Sequence, residues 1–164
     1  SIHVHAGTSS ASLVRELAAT LATSGIATVD APVTGGVDRA RAGDLTVIAS
    51  GPAGAFEAAS PVLRSYGSKI IYFGETVGAA QTMKVVNNML NFANLALASE
   101  ILVVGAKAGL DADLMLEVIN SGSGQNSATL IKFPRHILTG TFDYKGWLAM
   151  RSRTAACSST KRPT

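Results

Sequence analysis

The chain has 164 residues, 47% hydrophobic and only 5% aromatic, so it has apolar mass for a core that Leu, Val, Ile and Ala must build. Its formal charge of +3 is local: Arg151, Arg153, Lys161 and Arg162 lie in an acid-free tail, and without them ten basic residues face eleven acidic ones. No basic stripe interleaved with aromatics argues for nucleic-acid binding, and the single cysteine, Cys157, excludes an internal disulfide or a thiolate metal site.

Residues 2–5 alternate apolar and polar and run into Ala6 and Gly7, the pattern of a short strand entering a loop. His3 and His5 share a strand face, but no third ligand follows and no metal site is expected. Thr8, Ser9 and Ser10 offer N-caps for a helix over 11–23, with Leu13, Leu17 and Leu21 on one face and Gly25 as its stop. A strand over 26–31 then completes a βαβ pattern, the unit of a parallel sheet.

That strand runs into Asp30, Ala31, Pro32, Val33, Thr34, Gly35 and Gly36, read as a loop at the carboxyl end, where open α/β sheets bind ligands. Two glycines let backbone N–H groups approach an anion closely, and a simple tight turn fits the same residues. A helical turn or two over 37–42, a strand over 45–50, a helix over 55–66 broken or begun afresh at Pro61, and a strand over 69–73 complete the α/β part. From residue 77 the pattern is helical: a long helix to about 108, one over 111–120 capped by Asp111, a linker SGSGQ, and one over 127–138. Beyond Tyr144 the apolar periodicity stops, and the closing residues have the Ser, Thr and Arg content of an unstructured tail.

Between Glu75 and Glu100 the long helix carries one charged side chain, Lys84, and four asparagines, Asn87, Asn88, Asn91 and Asn94. At about 100° per residue these fall within roughly a third of the circumference, and Met83, Val86, Met89, Leu90, Phe92, Ala93, Leu97 and Ile101 cover much of the rest. The pattern predicts a largely buried helix whose polar stripe finds partners on other helices or lines a wet cleft. Lys84 opens the stripe near the helix N-terminus, where the dipole disfavours a cation and burial lowers an ammonium pKa; both directions suit acid/base chemistry. Snorkelling to water is the structural alternative. Four asparagines and a lysine make a membrane span costly.

Three motifs in order, DAPVTGGVDRARAGDLTVIASG at 30–51, VGAAQTMKVVNNML at 77–90 and KAGLDADLMLEVINSGSGQNS at 107–127, resemble the β-hydroxyacid dehydrogenases. This is the group of 3-hydroxyisobutyrate dehydrogenase and 2-hydroxy-3-oxopropionate reductase, with 6-phosphogluconate dehydrogenase a more distant relative. The resemblance implies an α/β fold followed by an all-α one. Residues 1–75 would be the end of a Rossmann-type nucleotide-binding domain, including the substrate loop. A long helix would join it to part of a helical 6-phosphogluconate-dehydrogenase-like domain at 76–147, followed by a basic tail at 148–164. It further implies that Thr34, Gly35 and Gly36 hold the substrate carboxylate, Lys84 is the general acid/base, Asn88 orients substrate, and Thr8 lies by the nicotinamide of NAD or NADP.

The expected activity is oxidation of a small 3-hydroxy acid, or reduction of the matching semialdehyde, by a cytoplasmic homo-oligomer paired through the long helix, without nucleic-acid or membrane partners. The sequence also departs from the family. No G-x-G-x-x-G unit is present, Gly7 stands where a serine is usual, and Ala80 where glycine is preferred. An FDYGF-like segment here reads FDYKGW, and the loss of pattern at Lys145 points to a shifted reading frame or an artificial end. The competing expectation is a truncated, non-catalytic module that keeps only substrate-turn and helix-packing surfaces and exposes apolar area.

Overall fold

The computed structural model describes residues 1–144. β1 (Ile2–His5) and β2 (Ala27–Asp30) lie parallel and are joined by α1 (Ala11–Ala22), as the βαβ pattern requires. Ser10 caps α1, its hydroxyl accepting from the Leu13 N–H at 3.2 Å. The stretch after β2 is not a free loop. Val33 and Thr34 form a two-residue strand, β3, antiparallel to β4 (Leu45–Ala49), because Val47 and Thr46 offer them ladder partners.

α2 (Gly36–Arg41) follows at once, and β4 pairs in parallel with β5 (Gly67–Tyr72). An antiparallel bridge between Asp30 and Ser50, with both N–H···O bonds at 2.8 Å, ties the end of β2 to the end of β4. α3 (Ala53–Arg64) runs unbroken through Pro61, against the expected break. Pro61 and Glu57, whose carbonyl loses its donor, are both exposed, so solvent can stand in for the missing N–H.

The structure divides into two compact units, the first holding Ser1–Asn87 and the second starting at Asn88. In the first, Val29, Ala31, Val47 and Ala49 of the strands pack with Ala55, Ala59 and Leu63 of α3. Full burial of each larger side chain contributes about 1.5–3 kcal/mol. The boundary falls within the long helix α4 (Ala79–Lys107).

The second unit is helical. Ala98 and Leu102 of α4 pack with Leu116 of α5 (Ala112–Ser121) and with Ala128 and Phe133 of a closing segment, Ala128–Ile137. Asp111 caps α5 as expected, accepting the N–H groups of Asp113 and Leu114 at 3.0 Å each. The closing segment is π-helical rather than α-helical, with the Leu138 N–H reaching the Phe133 carbonyl at 2.9 Å. The wider turn gathers Ala128, Thr129, Lys132 and Phe133 on one buried face.

α4 departs most from expectation, since much of its apolar surface is open: Leu90 is 63% exposed, Leu97 61% and Val104 66%. A helix apolar on most of its circumference has more surface to cover than the described elements supply. By length and composition it could also cross a membrane. The expected tail at 148–164 lies outside the described residues.

Candidate active site

An α-helix leaves its first N–H groups without partners inside the helix. At α4 each has one. Ala79 donates to the Thr76 carbonyl at 3.2 Å and Thr82 to the Gly78 carbonyl at 3.0 Å. The two between them are capped from the strands: Ala80 N–H donates to Ser50 Oγ, and Gln81 N–H to Asp30 Oδ2, each at 3.1 Å. A carboxylate at this end is favoured by the helix dipole.

Asp30 and Gln81 are fully buried. Gln81 Nε2 donates to Asp30 Oδ1 at 2.7 Å and to the Gly7 carbonyl at 2.9 Å, while its Oε1 accepts from the Ser9 N–H at 2.9 Å. Burial raises the Asp30 carboxyl above its ordinary value, and the bonds from the Gln81 side chain and backbone, with His5 nearby, partly hold it down. His5 Nε2 is 3.1 Å from Ser9 Oγ in the same loop.

Lys84 follows Gln81 by one helical turn. It is half-buried, desolvation lowers its pKa, and its ammonium has no hydrogen-bond or ion-pair partner among the described residues. Asn87, next along the stripe, donates from Nδ2 to Thr34 Oγ1 at 3.3 Å. Thr34 closes β3, and Gly35 and Gly36 follow with φ of 143° and 79°, values that side-chain-bearing residues rarely adopt. The glycine pair is therefore demanded by the backbone.

The structure thus brings Thr34, Gly35 and Gly36 to the helical turn that carries Lys84, through Asn87. Thr8 is exposed in the β1–α1 loop, between two residues that Gln81 holds. Asn88 is half-buried, belongs to the second unit and makes no side-chain hydrogen bond among the described residues. Asn91 takes its partners from the closing segment, accepting from the buried Lys132 Nζ at 2.5 Å and from Ser127 Oγ at 3.2 Å. Sequence reasoning missed Asp30, Ser50 and Gln81 as site residues. The available signal was a glutamine in an otherwise small and apolar helix start, three residues before Lys84.

Of a dinucleotide site, the residues present fit one end. The β1–α1 loop, with Thr8 exposed, opens at the carboxyl ends of two parallel strands, where open α/β sheets bind ligands. Among the described residues no G-x-G-x-x-G turn follows a strand to cradle a pyrophosphate.

Comparison with known proteins agrees with this geometry. Residues 1–74 match the family model described as the NAD binding domain of 6-phosphogluconate dehydrogenase, and residues 78–153 the one described as NAD-binding of NADP-dependent 3-hydroxyisobutyrate dehydrogenase. The chain is 40% identical over 135 residues to 2-(hydroxymethyl)glutarate dehydrogenase of Eubacterium barkeri, covering 82% of this chain and 44% of that protein. To 3-hydroxyisobutyrate dehydrogenase of Pseudomonas aeruginosa it is 44% identical over 114 residues, or 70% of this chain and 38% of that one. A solved structure of Psf3 in complex with NADP+ and 2-OPP superimposes with a TM-score of 0.87 at 29% identity, over 99% of this chain and 57% of that one. The chain therefore spans about two fifths of the length of these curated relatives.

Proposed function

The chain belongs to the β-hydroxyacid dehydrogenase family, and from that premise we propose that it carries the substrate turn and the proton-transfer group of an oxidoreductase acting on a small 3-hydroxy acid or its semialdehyde. The family uses NAD or NADP, which when bound supplies or accepts the hydride. The observation that carries the reading is Lys84: a half-buried amine without an ionic partner among the described residues, on a helix turn tied through Asn87 to Thr34.

Hydride transfer at a secondary alcohol leaves one proton on oxygen to be moved. Lys84, its pKa lowered by burial, takes that proton during oxidation and returns it during reduction. The Thr34 hydroxyl and the N–H groups of Gly35 and Gly36 hold the substrate carboxylate, and Thr8 lies on the nicotinamide side. Asn88, one turn past Lys84 on the same helix, orients the substrate. In this reading residues 1–75 serve nucleotide and substrate, residues 76–147 supply Lys84 and Asn88 and serve assembly, and the cytoplasmic protein pairs with its own copies through α4, without nucleic-acid or membrane partners.

A second reading, a non-catalytic module that retains substrate-turn and helix-packing surfaces, is favoured by the exposed apolar face of α4. Fluorescence titration with NADH and NADPH, with turnover of short semialdehydes by the chain and by Lys84→Ala, separates the two. The enzyme reading expects cofactor binding and a loss of about 10²–10⁴-fold in turnover on substitution. It also expects oxidation to rise, and reduction to fall, as pH passes through a Lys84 midpoint below the ordinary lysine value of 10.5. Absence of binding to either cofactor supports the module. Bound cofactor with undiminished Lys84→Ala turnover removes Lys84 from the chemistry.

A further inference from the structure

Gln81 uses every side-chain hydrogen-bonding direction the structure allows it, and each partner lies far along the chain. Asp30 is 51 residues away, Gly7 is 74 and Ser9 is 72. One amide therefore joins three elements: the end of β2, the loop that carries Thr8, and the first turn of α4. Its own N–H adds a fourth bond, to Asp30 Oδ2. A complementary donor and acceptor pattern of this kind specifies one geometry, because any shift strands a fully buried polar atom.

Lys84 lies at i+3 from Gln81, so the helix phase that Gln81 sets is the phase at which Lys84 emerges. Thr8 sits between the two backbone groups that Gln81 holds. We propose that Gln81 is the positioning residue of this site, a clamp that fixes the proton-carrying turn of α4 and the Thr8 loop in one register. This rests on the reading of Lys84 as the proton carrier. Gln81 itself touches no reacting atom; it acts by holding Asp30, Gly7 and Ser9.

The clamp accounts for two further features. Ser50 caps Ala80 from the strand that is bridged to Asp30, so the same β2–β4 junction holds two successive amides of α4. Among the described residues no Lys or Arg side chain bonds the buried Asp30, and two N–H groups of Gln81 reach its two oxygens, an arrangement that serves geometry more than ion pairing.

The test uses the full chain with its lysines reductively methylated with ¹³C, the Lys84 signal assigned by Lys84→Arg. In Gln81→Leu and Gln81→Glu the first turn of α4 is released. Lys84 then hydrates, and its titration midpoint moves up towards the ordinary lysine value. In Gln81→Leu, which removes the acceptor of the Ser9 N–H, Ser9 amide exchange accelerates ~10-fold or more. A variant that keeps its circular dichroism and melting transition while the Lys84 midpoint and Ser9 exchange stay unchanged overturns the clamp.

Should neither variant fold, exchange in the unmutated chain decides. Common protection of Ser9, Ala80 and Gln81 supports the clamp, and fast exchange at Ser9 beside a protected Gln81 overturns it. Failure of the Lys84 reading would appear instead as undiminished Lys84→Ala turnover, and would leave these readouts as they are.

Discussion

Asp30 illustrates how a single residue can be costly and still determine a site. Its carboxylate is fully buried, yet it accepts two bonds from Gln81 and caps α4. Asp30→Ala strands the Gln81 N–H and Nε2 together, so chemical denaturation should show a loss of about 2–4 kcal/mol; a loss near zero would mean that water replaces the carboxylate without penalty. The pH dependence has a definite sign. Burial raises the folded carboxyl above 3.8, so the folded state holds its proton longer than the unfolded state does. The proton-linked part of Asp30's contribution is fully present below the unfolded value and is lost as pH rises through the folded one, while the bonds from Gln81 remain. Asp30→Ala should remove that acid-side slope. At this scale the half-buried position of Lys84 and the backbone freedom needed at Gly35 and Gly36 were legible, because residue type and local spacing carry them. Gln81 was not, because an amide at a helix start is unremarkable until its partners are known.

Among the elements, the interplay of α4 and α5 within the second unit turns on one glycine. A Cβ at Gly105 would stand 2.1 Å from Met115 Sδ, so α5 approaches α4 where a side chain is missing. Helix propensity alone would make Gly105→Ala stabilising by about 1 kcal/mol. The atom in the way is the far end of a flexible methionine, which can swing aside, so propensity should win with a net gain of up to about 1 kcal/mol, and the gain should persist in a Met115→Ala background. A loss in thermal melts that disappears in the Met115→Ala background would instead show that Met115 is held too tightly to move. Element types were largely readable from periodicity and caps: Ser10 and Asp111 start α1 and α5 as their side chains dictate. The misses were those where neighbours decide. β3 exists because β4 lies beside it, and α3 passes Pro61 because that face is wet.

On the scale of the whole molecule the open face of α4 dominates. Leu90, Leu97, Ile101 and Val104 are each more than half exposed, on a helix where apolar residues outnumber the stripe. If this face pairs copies of the chain, light scattering should show concentration-dependent association, and the double variant Leu97→Glu with Val104→Glu should be monomeric with unchanged helicity. A wild-type chain that stays monomeric at its solubility limit counts against pairing through α4. Two routes to covering this face, a second copy or further polypeptide, give the same exposure in an isolated chain.

The sequence by itself determined the order and type of most elements, the polar stripe headed by Lys84 and the backbone freedom used at Gly35 and Gly36, since hydrophobic period, capping and glycine conformation act over a few residues. Tertiary structure alone decided that Gln81 meets Asp30, that Asn87 rather than another asparagine reaches Thr34, and that α4 stays largely uncovered. Those pairings span 51 and 53 residues, and no local periodicity encodes which distant group will satisfy a buried polar atom. That choice is made only when the strands and helices pack.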